Sequence, residues 1–146
     1  WWSFNDRKWP EGFKKEGRAF GLFPSKGTAR KQQLVKGIHG EGFANSYRYG
    51  DTARGKLTSP DFVVPKRSIV VRVGGGSNCK TTYVGLEVDG KIVQRVCGSR
   101  DEELRTRTLQ TRKWAGQSGR LVIVDEGKGP WEHILVDDIA VPKTDG

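Results

Sequence analysis

An all-β fold, built as a two-sheet antiparallel β-sandwich of the jelly-roll type, is what this chain predicts. Three observations carry the prediction. Val, Ile and Thr gather in short runs, those runs are separated by Gly, Pro, Asp and Asn, and no long segment keeps a helical period of apolar residues. The number and spacing of the runs suit two packed sheets.

Taken in order, the predicted strands are Ser3–Asp6, Gly12–Glu16, Ala19–Phe23 and Phe43–Ser46. Gly55–Ser59 and Phe62–Val64 follow, parted by Pro60-Asp61. In Ser68–Val73, Ile69, Val71 and Val73 form one apolar set and Val70 adds to the other face, which predicts a central strand partly covered on both sides. Tyr83–Val88 and Lys91–Cys97 flank Asp89-Gly90, a two-residue hairpin signal. Leu104–Leu109, Arg120–Asp125 and His133–Ile139 complete the set, and Thr111–Gly116 reads as a turn that carries Trp114 toward the core. Residues 24–42 are polar and basic and predict a long loop over one face.

With 146 residues the chain suits one domain over 1–146, and its opening at Trp1, without Met or a signal-peptide pattern, reads as a segment of a larger secreted or surface protein. No apolar run approaches the roughly 20 residues that span a bilayer, so no membrane partner is expected. The formal net charge of +9 invites a nucleic-acid reading. The basic residues are spread through every segment, however, and recognition-helix, zinc and RNP-like patterns are missing. An acidic, uronic or sulfated polysaccharide fits that charge better.

The two cysteines are Cys79 and Cys97. A two-residue turn at Asp89-Gly90 pairs Val88 with Lys91 and so Thr82 with Cys97, leaving Cys79 three residues from direct pairing. A disulfide then requires residues 79–81 to curl back across the strand end, because bridged Cα atoms lie within about 7 Å. The register alone leaves a bridge and two separate thiols both open.

Val124–Ile139 holds the densest chemistry: two carboxylates, a Gly/Pro turn, a tryptophan and a histidine between two apolar strands. Asp125, Glu126, Trp131 and His133 are expected at one rim of a sheet, with the indole offered to a sugar's apolar face and the polar groups to its hydroxyls. A core tryptophan beside a histidine that satisfies a buried carboxylate is the alternative. Tyr47 and Asp51, in a loop that also holds Tyr49, form a second candidate subsite. The run Arg100-Asp101-Glu102-Glu103 offers a guanidinium at Arg100 and an acceptor, with Glu103 the candidate, or else forms a solvated turn. Asn78 lies just past Gly74-Gly75-Gly76, which lacks the Lys-Ser/Thr and the helix of a phosphate-binding loop. Those glycines are expected to let the backbone bend or approach a ligand closely. If the terminal strands pair, Asp6 and Asp138 would suit a structural calcium, which takes about six to eight oxygen ligands; no other cofactor is called for. Asp137 and Asp138 point to opposite faces, so one of them at most serves such a site.

Enzyme readings find little support. With His39 and His133 as the histidines, a common zinc cluster is not available, no Gly-x-Ser-x-Gly elbow exists, and adjacent Asp125 and Glu126 point to opposite sides of a strand.

The order of motifs carries a resemblance. Phe4-Asn5-Asp6, Glu16-Gly17-Arg18-Ala19-Phe20-Gly21, Asn45-Ser46-Tyr47, Gly50-Asp51 and Leu57-Thr58-Ser59-Pro60-Asp61-Phe62 are followed by Gly74-Gly75-Gly76, Val88-Asp89-Gly90-Lys91, Glu103-Leu104-Arg105, Ile123-Val124-Asp125-Glu126 and Trp131 through Ile139. The ordered set resembles the levanase-type carbohydrate-binding module, family 66, found beside glycosidases that cut fructans, and is similar to related modules of large secreted proteins. The resemblance implies a non-catalytic β-sandwich that takes the end of a fructan chain in one pocket. Binding to an acidic polysaccharide, or to a protein as an adhesion domain, are the other functions expected of such a sandwich. The chain departs from the family pattern at Leu109-Gln110, where Trp-Asp is usual, and at Gly129-Pro130, where Gly-Gly is usual.

Overall fold

The computed structural model describes residues 2–6, 8–21, 23–29, 32–38, 42–49, 53–127, 129 and 131–142, with Arg48 and Tyr49 along the backbone. Ten strands follow one another in these segments: β1 (Lys14–Gly17), β2 (Ala44–Asn45), β3 (Gly55–Thr58), β4 (Phe62–Val63), β5 (Ile69–Gly75), β6 (Thr82–Val88), β7 (Lys91–Val96), β8 (Asp101–Leu109), β9 (Ser118–Asp125) and β10 (Ile134–Ala140). All pair antiparallel, in a six-stranded sheet of order β1-β3-β9-β6-β7 with β4 beside β9, and a four-stranded sheet of order β2-β10-β5-β8. The fold is the expected all-β sandwich.

Side-chain alternation sets the core. Leu121 and Ile123 of β9 face the other sheet and pack with Leu57, Leu86, Val71, Val73, Ile134 and Val136, while Val122 and Val124 point outward beneath Tyr83. Ile69 and Leu109 are opposite one another on the same inner face, both fully buried. Burying a side chain of this size contributes about 1.5–3 kcal/mol. β5 is central, between β10 and β8, yet Val70 is 37% exposed, so its outer face is less covered than its apolar character predicts. The turn at Arg112–Trp114 packs Trp114 against the core edge as expected.

Two predicted strands are replaced by turns. In 3–6, Trp2 makes a single bridge to Ile139 before Phe4 takes φ 58° and drops its ring into the core against Trp9 and Phe13. In 19–23, Ala19 and Phe20 are fully buried, but Gly21 turns at φ 72° and donates its N–H to the Arg18 carbonyl. Phe4, Ala19 and Phe20 are apolar because they fill the core, and their burial imitates that of strand residues.

The hairpin pairs Val88 with Lys91 as predicted, and a bulge after Leu86 moves the register by one residue. Residues 79–81 curl back, with the Thr81 and Thr82 amides donating to the Asn78 carbonyl, so that Cys79 and Cys97 are disulfide-bonded with Cα atoms 5.4 Å apart. Closing a loop of this length stabilises the fold by about 3 kcal/mol.

Candidate functional site

The site is built on the outer face of the four-stranded sheet. Ile134 and Val136 face the core, so the residues of opposite parity, His133, Leu135 and Asp137, face away from it. By the same rule β8 presents Glu102 and Leu104 outward, and β2 presents Asn45 beside Leu135. Residues 24–42 were expected to cover one face, and their described parts do. The Lys36 amide donates to the Glu102 carbonyl and the Leu104 amide to the Lys36 carbonyl, each at 2.8 Å. Val35 packs with Phe43, Leu104 and Leu135. Arg72 donates to the Gly37 carbonyl through Nε and Nη2 at 3.2 and 3.0 Å and to the Leu104 carbonyl at 2.9 Å, fastening this strap to the sheet.

Beneath the strap lies a buried polar cluster. His133 is 2% exposed and Glu102 5%, and His133 Nε2 sits 2.5 Å from Glu102 Oε1, within hydrogen-bond distance. Gln32 Nε2 donates to the other carboxylate oxygen at 2.6 Å, and Gln32 Oε1 accepts from the Ala29 amide at 2.8 Å and from Asn45 Nδ2 at 3.0 Å. Asn45 Oδ1 accepts from the Tyr47 amide at 2.9 Å, and Ser46 Oγ from the Ile134 amide at 2.7 Å. A carboxylate this deep is tolerated because both oxygens are engaged.

The His133 ring touches two other rings. Trp131 stacks on it with centroids 5.6 Å apart and planes at 24°, and Tyr47 meets it edge-on at 4.8 Å. Both flanking rings are half-buried. Trp131 holds φ 61°, a costly conformation for a bulky residue. Its carbonyl is pressed so closely on Gly76 that a Cβ there would lie 1.9 Å from the oxygen, and the Gly76 amide donates to the His133 carbonyl at 2.8 Å. Gly98 is similarly seated on the Gly75 carbonyl, 2.4 Å from where its Cβ would stand. The glycine run thus lets three backbone segments meet.

The candidate residues separate into groups. Trp131, His133 and Tyr47 come together. The rim positions expected of His133 and Asp125 are corrected by their burial: His133 Nε2 is committed to Glu102, and Asp125, fully buried at the end of β9 in the other sheet, accepts the Gly127 amide through Oδ1 at 3.2 Å. Glu126 is exposed one residue on, its amide donating to the Thr81 carbonyl. Asn78 is exposed and closes its own turn, accepting from the Lys80 amide at 3.2 Å. Arg100 is exposed at φ 66°. Glu103 points away from Glu102, as successive residues of a strand do, and with Asp101 grips Arg105 at 2.7 and 2.8 Å. The hydrogen bond to Asp101 is the main reason the Arg105 pKa rises above its ordinary value. Asp51 lies outside the described residues. Asp6 is exposed and Asp138 half-buried at φ 46°; among the described residues no group of three or more His, Cys, Asp and Glu side chains is placed to hold a metal ion.

Gln32 and Asn45 were not expected at the site, and Glu102 entered only as part of the charged run Arg100-Asp101-Glu102-Glu103, from which Arg100 and Glu103 were chosen. Glu102 was legible in principle, since it shares parity with the apolar Leu104, whereas Glu103 does not. Gln32 had no local signal, because only the strap's path brings it to the sheet.

No family model matches the chain. A curated relative from Aspergillus rugulosus, "Putative glycosyl hydrolase ecdE", is 32% identical over 133 residues, covering 91% of this chain and 19% of that protein. The chain therefore spans about a fifth of the relative's length. Among solved structures, the K1 cleaved adhesin domain of Lys-gingipain from Porphyromonas gingivalis W83 superposes with a TM-score of 0.58 at 15% identity, covering 99% of this chain and 96% of that one. A Stig cyclase from Fischerella sp. TAU gives 0.54 at 16%, covering 94% and 86%. A structure of carbohydrate-binding modules from the β-sandwich superfamily gives 0.52 at 17%, covering 97% and 61%. What these chains share is the fold. Within the described residues no helix is long and apolar enough to cross a membrane.

Proposed function

We propose that this chain is a non-catalytic glycan-binding module of a larger extracellular protein, that Trp131 and Tyr47 supply its ligand-contacting rings, and that the end of a fructan chain is its ligand. The observation that carries the reading is the Trp131–His133 stack, with Tyr47 edge-on to it, held on the Glu102–Gln32–Asn45 cluster. Protein–sugar stacking needs a flat apolar face held still, and here the strain at Trp131 and the buried hydrogen bonds beneath it fix the indole before any ligand arrives. His133 acts as the support of that ring, because its Nε2 already faces Glu102.

The carbohydrate class is supported by the sandwich likeness to carbohydrate-binding modules and by the name of the Aspergillus rugulosus relative. The fructan end rests on the motif order. The disulfide supports an oxidising, extracellular setting. The absence of catalysis is argued from Glu102, whose two oxygens are held by His133 and Gln32 and are not presented to a substrate.

Affinity electrophoresis in gels containing levan, inulin, pectin or a sulfated glycan, at low and high salt, tests the reading. Retardation by levan that ignores salt is expected, and Trp131→Ala weakens it at least about tenfold, or roughly 1.4 kcal/mol. Retardation confined to the charged polymers and lost at high salt contradicts the fructan ligand. Release of fructose from levan by the purified chain contradicts the non-catalytic assignment.

A further inference from the structure

The basic residues are spread along the chain, yet folding gathers four of them at one end of the sandwich. Residues 62–86 and 104–124 hold no Asp or Glu, and the sheets lay these stretches against each other, β5 on β8 and β6 on β9. Where β5 begins and β8 ends, Ile69 faces Leu109. Just beyond, the Thr111 hydroxyl is shared between the Pro65 and Arg67 carbonyls at 2.7 and 2.8 Å. The Val64 amide donates to the Gln117 carbonyl and the Gly116 amide to the Val64 carbonyl, at 2.8 and 2.9 Å, which ties the same two turns at their other side. Lys66, Arg67, Arg112 and Lys113 therefore stand together on turns pinned to one another, all four exposed. Among the described residues no carboxylate pairs with any of them. Asp61 lies away from them beyond β4, where Phe62 faces Gly119 next to the Arg120–Glu87 pair. Like charges set together repel, a cost that a bound anion relieves.

We propose that this basic pole is a second glycan-binding surface, which takes an anionic polysaccharide through its carboxylate or sulfate groups. The guanidinium forks of Arg67 and Arg112 match two oxygens of such a group, and Lys66 and Lys113 add point charges. Each exposed ion pair contributes little, so affinity has to come from several anionic groups on one chain. A polymer meets that condition and a single sugar acid does not. A nucleic-acid strand would also need open aromatic faces for its bases, whereas Trp114 is half-buried against the core edge with the Lys113 ammonium 5.7 Å from its centroid. The pole lies at the far end of β8 from Trp131. Asp101 faces Gly75 at the aromatic site and Leu109 faces Ile69 at the pole, and a rise of about 3.3 Å per residue sets the two roughly 26 Å apart. One sandwich thus offers a neutral chain end one pole and an acidic chain the other. The choice of a polysaccharide rests on the glycan-binding reading; the residues of the pole are separate from it.

Affinity electrophoresis in gels of polygalacturonate or dextran sulfate, paired with amide and indole NMR of the ¹⁵N-labelled chain titrated with a short oligogalacturonate, tests the pole. Retardation by at least one of the two polymers, lost at high salt, is expected. Lys66→Ala/Arg112→Ala weakens it about fivefold or more, while Lys14→Ala/Lys91→Ala, which removes the same charge from other exposed positions, weakens it less than about twofold. The oligomer is expected to move the Trp114 indole and the Lys66 and Arg112 amides and to leave the Trp131 indole in place. Equal weakening by the two double variants overturns the pole, because total charge then does the binding. An unmoved Trp114 indole overturns it too, whatever levan does at Trp131. Galacturonic acid monomer that moves the same signals at the same concentration of sugar overturns the requirement for a polymer. A single-stranded oligonucleotide that binds the pole more tightly than oligogalacturonate of equal charge overturns the polysaccharide class. A responsive pole beside a Trp131 indole that levan fragments leave unmoved upholds the pole and counts against the aromatic site alone.

Discussion

The outer face of the six-stranded sheet is roofed by its own side chains, whereas that of the four-stranded sheet is roofed by a second layer of chain. On the first, Tyr83 lies across Gly85, whose Cβ would stand 3.0 Å from the phenol ring, and the Arg95 guanidinium rests 4.4 Å from the Tyr83 centroid. Val122 and Val124 stay almost wholly buried beneath them. On the second, the strap covers Leu104 and Leu135 with Val35, and brings Gln32 onto Glu102. Long side chains suffice to keep an apolar floor dry. A strap does more, because it delivers backbone and amide groups that can satisfy polar residues out of water, and so Glu102, Asn45 and His133 are buried under it. The proposed aromatic site sits where that second layer exists.

The largest effect expected from this contrast is at Glu102. Glu102→Ala removes one partner of a buried pair and leaves His133 and Gln32 facing an empty site, which costs about 3–5 kcal/mol. Glu87→Ala on the other outer face breaks the pairing with Arg120, whose side chain is 43% exposed, and costs about 1 kcal/mol or less. Urea unfolding midpoints measure both. Equal losses would break the distinction between the two roofs.

The same contrast explains what the sequence made legible. Strands of the sandwich announced themselves because their inner faces alternate: Leu121 and Ile123, Ile69 and Val71, and the Asp89-Gly90 hairpin needed nothing but local pattern. The loop over one face was legible from its polarity. Its consequence was not, since the contact of Gln32 with Glu102 joins residues 70 apart in sequence. Asp125 and Glu126 look like neighbours of His133 along the chain, yet β9 and β10 belong to different sheets, and a turn between sheets separates what sequence places side by side. Phe4 and Phe20 mimicked strand residues because a plug at a sandwich edge is as apolar as a strand.

Arg72 gives a smaller and more local test. It fastens the strap through two hydrogen bonds to the Gly37 carbonyl, and binds β8 through the Leu104 carbonyl and, from Nη1, Thr106 Oγ1 at 3.1 Å. Arg72→Ala is expected to cost about 1.5–3 kcal/mol, the range for hydrogen bonds to a charged group. Amide exchange should accelerate at Lys36 and Leu104, whose N–H groups pair strap and strand, and should stay unchanged at Val122 and Val124. Acceleration spread evenly over both sheets would show that the strap is no separate layer.

Arg95 supplies the smallest effect, on the face without a strap. Burial raises the Tyr83 pKa above 10.0, Arg95 pulls it back, and Glu126 and Glu87 push it up again. The phenol is neutral in both folded and unfolded chain below about pH 10, so its contribution to stability is fully present there. It is lost as pH rises through the raised folded value, because the unfolded chain releases the proton first. Arg95→Ala removes about 0.5–1 kcal/mol of cation–π attraction at neutral pH. It also removes the influence that favours the phenolate, so Tyr83 should ionise at still higher pH and stability should fall more steeply above pH 10 than in the unmodified chain. Carbon NMR of labelled tyrosine, with Tyr83 assigned by its own substitution, follows the ionisation directly. If Tyr83 instead ionises earlier in Arg95→Ala, removing Arg95 has let water reach the ring, and the guanidinium's main part is that of a lid over Tyr83, the same work the strap does for His133 with a whole segment of chain.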